Sequence, residues 1–142
     1  MRQFRGKVDL NNGQRGSTTV EMAIFLPLFL LLVFGIFEFS RAWFTLNSMN
    51  HATREAVRLA AVTPALTAGH ASVIARATNI LTASGITTAT VANTAPTGSP
   101  KEVQVTIDLT YSWITQIGPL LGYSFKGTIP LHTSAIMRYE LT

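Results

Sequence analysis

The chain has 142 residues, 47% hydrophobic and 13% charged, with a formal net charge of +4 and no cysteine. That length leaves room for one domain, and the charged share is about half of what soluble domains carry. Without cysteine there is no disulfide framework, no thiolate metal site and no cysteine nucleophile.

The basic balance does not point to nucleic acid. Arg2, Arg5, Lys7 and Arg15 stand against Asp9 alone, whereas from Ser17 onward seven basic residues face six acidic ones. A nucleic-acid-binding surface would carry its excess on the folded domain. Here the excess precedes an apolar run, where positive charge sets membrane orientation. Residues 1–16 therefore read as a basic leader, disordered through Arg15 and held on the cytoplasmic side, and no nucleic-acid partner is expected.

From Met22 to Phe37 there is no charge at all. At 1.5 Å per residue this run covers about 24 Å, short of a hydrocarbon core of about 30 Å. Extended at both ends, to about residues 20–41, it becomes an adequate membrane span. Trp43 and Phe44 then fall at the outer interface, a common depth for large aromatics. A cleaved secretory signal fits less well: Glu21 opens the apolar core, Pro27 interrupts it, and Glu38–Trp43 offers no small-x-small cleavage site. Pro27 removes one backbone hydrogen bond, a change membrane helices tolerate. It reads either as a mild bend or as a flexible point that helps the helix leave the bilayer.

The helix continues beyond the span. Ala42, Leu46, Met49, Ala52 or Thr53, Ala56 and Ala60 recur every three or four residues as an amphipathic stripe. Glu55 and Arg58 pair on the other face. Thr63 and Pro64 end the run, since proline disfavours helix in the residue before it. The long helix thus occupies residues 17–62, and residues 63–142 form a small α+β domain outside the membrane. A second helix is expected over Ala71–Ala83, burying Ile74, Ala77 and Leu81 and stopped by Gly85. Strands are expected over Ile86–Asn93, along the alternation Val103, Val105, Ile107, Leu109, Tyr111, and over Thr128–Tyr139. Thr94–Pro100 and Ile117–Tyr123 read as loops. The expected fold is a long N-terminal transmembrane helix, a second helix and a small antiparallel sheet packed on them.

One string carries chemistry: Gly16, four residues, Glu21, then the apolar helix. Gly16 has no side chain to obstruct a protease cleft, and the leader keeps the Gly16–Ser17 bond at the cytoplasmic surface. The bland alternative is a capping box in which Thr18 and Glu21 satisfy free amides at a helix start. The two uses are compatible. Glu38 and Arg41 are three apart at the far edge of the span, readable as an exposed helix-end pair or as a contact with a neighbouring helix. His51, His70 and His132 lack metal-ligand spacing, and no nucleophile elbow or phosphate loop occurs. No cofactor or metal is called for, and no enzymatic activity is expected.

The Gly16–Glu21 string resembles the processing site of prepilins. The wider pattern of Ser17, Val20-Glu21-Met22-Ala23, Pro27, Phe34-Gly35-Ile36, Glu38-Phe39 and Arg41 resembles the TadE-like family. So do Asn50, Ala52, Arg54-Glu55-Ala56 and Arg58, and the ending Leu131, Thr133, Ala135, Met137-Arg138-Tyr139-Glu140. The resemblance implies a pilin-like fold and a minor pilin or pseudopilin of the tight-adherence (Flp-type, type IV-like) pilus, a machinery of secretion and cell adhesion. It implies processing by a prepilin peptidase at Gly16, Ser17 and Glu21, with Ser17 the new N-terminus. Its Glu21 would then meet the Ser17 amine of a neighbouring subunit, with Glu38 and Arg41 as further subunit contacts. Expected partners are the peptidase, other pilin and pseudopilin subunits and membrane lipid. The expected place is the inner (cytoplasmic) membrane, with the C-terminal domain extracytoplasmic and possible incorporation into an extracellular pilus. Major pilins of this kind are essentially helix alone, so the domain from Thr63 implies a minor component. The competing reading is an uncleaved single-pass protein whose outer domain binds envelope or secretion-system partners.

Overall fold

The structure, a computed structural model, describes residues 11–113 and 128–141, with the backbone alone for 11–15. The expectations for residues 1–10 and for the Ile117–Tyr123 loop lie outside the described residues. The elements in chain order are α1 (Asn11–Ala61), α2 (Ala71–Ala83), β1 (Thr90–Asn93), β2 (Glu102–Ser112) and β3 (Thr128–Arg138). The fold is α+β, with one antiparallel sheet of order β1-β2-β3. By contacts the chain divides into two compact units, Met1–Phe37 and Glu38–Thr142, and α1 contributes to both.

Helix α1 is a single run of 51 residues that passes through Pro27. It is already helical at Asn11, inside the stretch expected to be disordered, so Thr18 lies well within the helix. The capping-box reading of Thr18 and Glu21 does not hold in this chain, because a cap must stand at the helix start.

In the second unit the expected stripe of α1 is the buried one. Met49, Ala52, Ala56 and Ala60 have no exposed surface, and Thr53 joins them. A threonine is tolerated there because its hydroxyl donates to the Met49 carbonyl at 2.8 Å, leaving no unmet polar group. Helix α2 adds Val73, Ala77 and Leu81. Val73, not Ile74, is the fully buried residue of its first turn; Ile74 is half-buried. Since both spacings to Ala77 are helical, only the packing decides between them.

The C-terminus of α2 follows from Gly85. Its φ of +77° lets the Ile86 N–H reach the Leu81 carbonyl at 2.9 Å and the Gly85 N–H the Thr82 carbonyl at 2.9 Å. This is the paired closure that a left-handed residue permits. It also turns Ile86 back against the core.

Strand β2 alternates as its sequence predicts, burying Val103, Val105, Ile107, Leu109 and Tyr111. Strand β3 pairs along the whole of β2, from Glu102 opposite Arg138 to Ser112 opposite Thr128. On the same face β3 offers buried Thr133 and half-buried Leu131, Ala135 and Met137. Strand β1 is shorter than expected, pairing only over Thr90–Asn93.

Three tie points align α1 with the sheet. Arg41 donates to the Ser112 carbonyl at 2.6 Å, and the Thr133 hydroxyl to Asn50 Oδ1 at 2.6 Å. At the helix end the Tyr139 hydroxyl donates to the Thr63 carbonyl at 2.9 Å, and the Glu140 N–H to the Ala61 carbonyl at 3.1 Å. The last of these bonds satisfies a carbonyl that the helix end leaves open. From residue 41 to 61 a helix rises about 30 Å, and from 128 to 138 a strand rises about 33 Å. Helix and strand are matched in length and run in the same direction. The end of β2 therefore lies beside Arg41, at the start of the unit, and Tyr139 and Glu140 lie beside the end of α1.

Candidate functional site

The Gly16–Glu21 string lies on the first unit. Gly16, Ser17 and Glu21 are all within α1 and all exposed. A Cβ built on Gly16 meets nothing within 4 Å, so no packing in the folded chain requires glycine there. The Ser17 hydroxyl donates to Glu21 Oε1 at 3.4 Å across one helical turn. The side chains that follow, Met22 to Phe37, are exposed apolar groups. Among the described residues there is one helix long and apolar enough to cross a membrane, and none of its most apolar window is buried. A core helix of a soluble domain of that hydropathy would be covered. This one needs lipid or partner helices.

Glu38 and Arg41 depart from expectation. The sequence suggested an exposed helix-end pair, but Glu38 is only 2% exposed. Its Oε1 lies 3.3 Å from Arg41 Nη2, and Arg41 keeps 30% of its side-chain surface. The Arg41 guanidinium also lies 4.7 Å over the Tyr111 ring, and the Tyr111 hydroxyl reaches the Glu38 carbonyl at 3.5 Å. Strand β2 covers the pair, and the strand's far position in sequence is why spacing along α1 did not reveal it. Tyr111 was legible as an inward strand residue; its place over Arg41 was not. A guanidinium that serves a carboxylate, a carbonyl and an aromatic face together is a fixed junction and not a floppy surface pair.

The remaining polar clusters are structural. Glu55 bridges Arg58 on its own helix at 3.6 Å and Arg76 of α2 at 3.4 Å. Buried Asn93 donates to the Thr67 carbonyl at 2.9 Å and accepts from the His70 N–H at 2.8 Å, fixing the segment between the helices to β1. The histidines are dispersed: His51 is exposed, His70 sits 2.9 Å from the Ser72 hydroxyl, and His132 forms a 2.6 Å pair with Asp108 on the outer face of the sheet. Among the described residues no group of three or more metal-ligating side chains comes together.

No curated protein and no solved structure matches the chain. The family model described as TadE-like protein matches residues 16–58. The match opens on Gly16 and closes on Arg58 in the stretch of α1 that packs in the second unit. It thus spans the apolar helix, the Glu38–Arg41 junction and most of the alanine stripe, and it leaves α2 and the sheet uncovered. Over residues 16–58 this chain is similar to the TadE-like family.

Proposed function

We propose that this protein is a minor pilin or pseudopilin that a prepilin peptidase cleaves between Gly16 and Ser17 before it joins or primes a tight-adherence pilus. The observation that carries this reading is the position of the family match, which opens on Gly16 immediately ahead of an exposed apolar helix. Cleavage makes Ser17 the mature N-terminus, with its ammonium at the head of the helix. Glu21 needs a partner once lipid removes water. In the precursor its partner is the Ser17 hydroxyl, at the long distance of 3.4 Å. In an assembly the ammonium of a neighbouring subunit is a better one, because a charge-assisted bond is stronger than a neutral one. Of the Glu38–Arg41 pair, Arg41 keeps the exposure to face a neighbour, and Glu38 acts by holding it. The protein is non-enzymatic and works by helix packing, with its α+β unit outside the cytoplasmic membrane.

One observation favours the second reading, an uncleaved single-pass protein that binds envelope partners. Helix α1 runs unbroken across Gly16–Ser17, whereas proteases take their substrates extended. Cleavage requires the first turn or two of α1 to unwind, which a glycine near a helix end facilitates.

The experiment is N-terminal mass analysis after co-expression with a prepilin peptidase. The processing reading expects a chain beginning at Ser17, and an intact chain with Gly16→Val. Because nothing packs against Gly16, that substitution tests the protease cleft and not the fold. An intact N-terminus in the unmodified chain would establish the uncleaved reading.

A further inference from the structure

We infer that the globular unit is seated on the bilayer by an aromatic girdle drawn from two elements, with Trp113 at the end of β2 inserted in the headgroup region alongside Trp43. The inference rests on the reading of α1 as a membrane helix and extends it to the sheet. Four large aromatics of the second unit are exposed: Phe39 at 68%, Trp43 at 58%, Phe44 at 56% and Trp113 at 38%. Soluble surfaces seldom gather such residues, whereas the membrane interface favours them, tryptophan above all.

Their placement identifies the partner. Trp113 packs edge-on against Tyr111 at 5.9 Å, and the Tyr111 ring carries the Arg41 guanidinium at 4.7 Å. Trp113 is thereby held at the level of Arg41 along the helix. Phe39 and Trp43 stack at 6.2 Å at the same level. At 3.6 residues per turn they lie about 150° around α1 from the Glu38–Arg41 side, with Phe44 between. A protein partner would be met by a patch on one side. Aromatics on several sides of one helix, at a single level, fit a plane that the helix crosses. That level follows directly after the uncharged run ending at Phe37, where the helix leaves hydrocarbon. Arg41, with its partly exposed guanidinium, suits the same depth, where lipid phosphates lie. The buried junction therefore fixes both the sheet and its tryptophan at the surface of the membrane.

The chain has two tryptophans, so each can be made the sole reporter by replacing the other with phenylalanine. The full-length chain is placed in phosphatidylcholine vesicles containing lipids spin-labelled near the headgroup or near the acyl-chain end. With Trp43→Phe, Trp113 emission is expected to be shielded from aqueous iodide and quenched about twofold more by the shallow label than by the deep one, as for an interfacial indole. The Trp113→Phe chain reports the anchor in the same way through Trp43. If Trp43 responds to the shallow label and Trp113 only to iodide, the seat is overturned and the anchor stands. If Trp113 responds to neither, it is covered by protein, such as a second copy, and the seat is again overturned. If both tryptophans ignore the lipid labels, the membrane reading of α1 falls and the seat falls with it.

Discussion

At the scale of single residues, the junction around Arg41 concentrates several interactions in one side chain. Removing it takes the ion pair from Glu38, a 2.6 Å donor from the Ser112 carbonyl and the cation from the Tyr111 ring. Breaking a buried pair from one side costs more than removing both partners, because the survivor keeps its desolvation penalty. Since Arg41 is 30% exposed, water screens part of that loss, and Arg41→Ala is expected to destabilise the unit by about 2 kcal/mol. The double variant Glu38→Ala, Arg41→Ala should cost less than the two single changes together, with a coupling of about 1 kcal/mol. Denaturant titration of the detergent-solubilised chain, followed by tyrosine and tryptophan signals, measures this. Strict additivity would mean that the pair is incidental. Glu55 is a useful contrast, because its partners Arg58 and Arg76 are 70% and 54% exposed and such pairs contribute little.

At the scale of elements, the alanine stripe of α1 explains how a helix and a three-stranded sheet share so small a core. Ala52, Ala56 and Ala60 have no exposed surface and no side-chain bulk beyond Cβ, so the large residues come from the other side: Val103, Val105, Ile107 and Leu109 of β2, with Val73 and Leu81 of α2. Ala56→Leu forces extra volume into a filled layer and is expected to cost about 1–3 kcal/mol. Arg54→Leu, on the exposed face of the same helix, should move stability by no more than about 0.5 kcal/mol. Thermal unfolding of both variants makes the comparison; equal effects would show that the stripe is not close-packed. This stripe was legible in the sequence, as were the bounds of α2 and the inward face of β2, because each is a local periodicity with a local stop. Less was legible where distant segments decide. Ile74 and Val73 satisfy the same helical spacing, and only the facing elements choose Val73. Half of the predicted first strand is unpaired because β1 meets β2 over four residues only. The burial of Glu38 depends on a strand more than seventy residues away in sequence, and the role of Asn93 depends on a loop that no periodicity describes. The expectation of processing at Gly16, Ser17 and Glu21 rests on order along the chain alone, and the folded geometry does not bear on it.

At the scale of the whole molecule, the compact unit begins in the middle of a helix, at Glu38, and this has a consequence for how the chain can be divided. The segment of α1 after Glu38 supplies Met49, Ala52, Ala56, Val57, Ala60 and Ala61 to the core, close to half of its fully covered apolar residues. It also supplies the Arg41, Asn50 and Ala61 tie points that align it with the sheet and the segment after β3. A fragment beginning at residue 38 therefore retains every core contact of the unit and is expected to unfold cooperatively in water. A fragment beginning at residue 63 contains α2 and all three strands, yet one face of its sheet would be uncovered. Three strands and a 13-residue helix do not bury enough apolar surface to offset the chain entropy of folding. It should show low amide protection and no thermal transition. Proton–nitrogen correlation spectra of the two fragments decide the matter: dispersed peaks from the first and collapsed peaks from the second are expected. Dispersed spectra from both would mean that α2 and the sheet hold together unaided, and that the lower half of α1 is an addition to the domain and not its scaffold. If only the longer fragment folds, the part of α1 after Glu38 is the scaffold on which α2 and the sheet assemble.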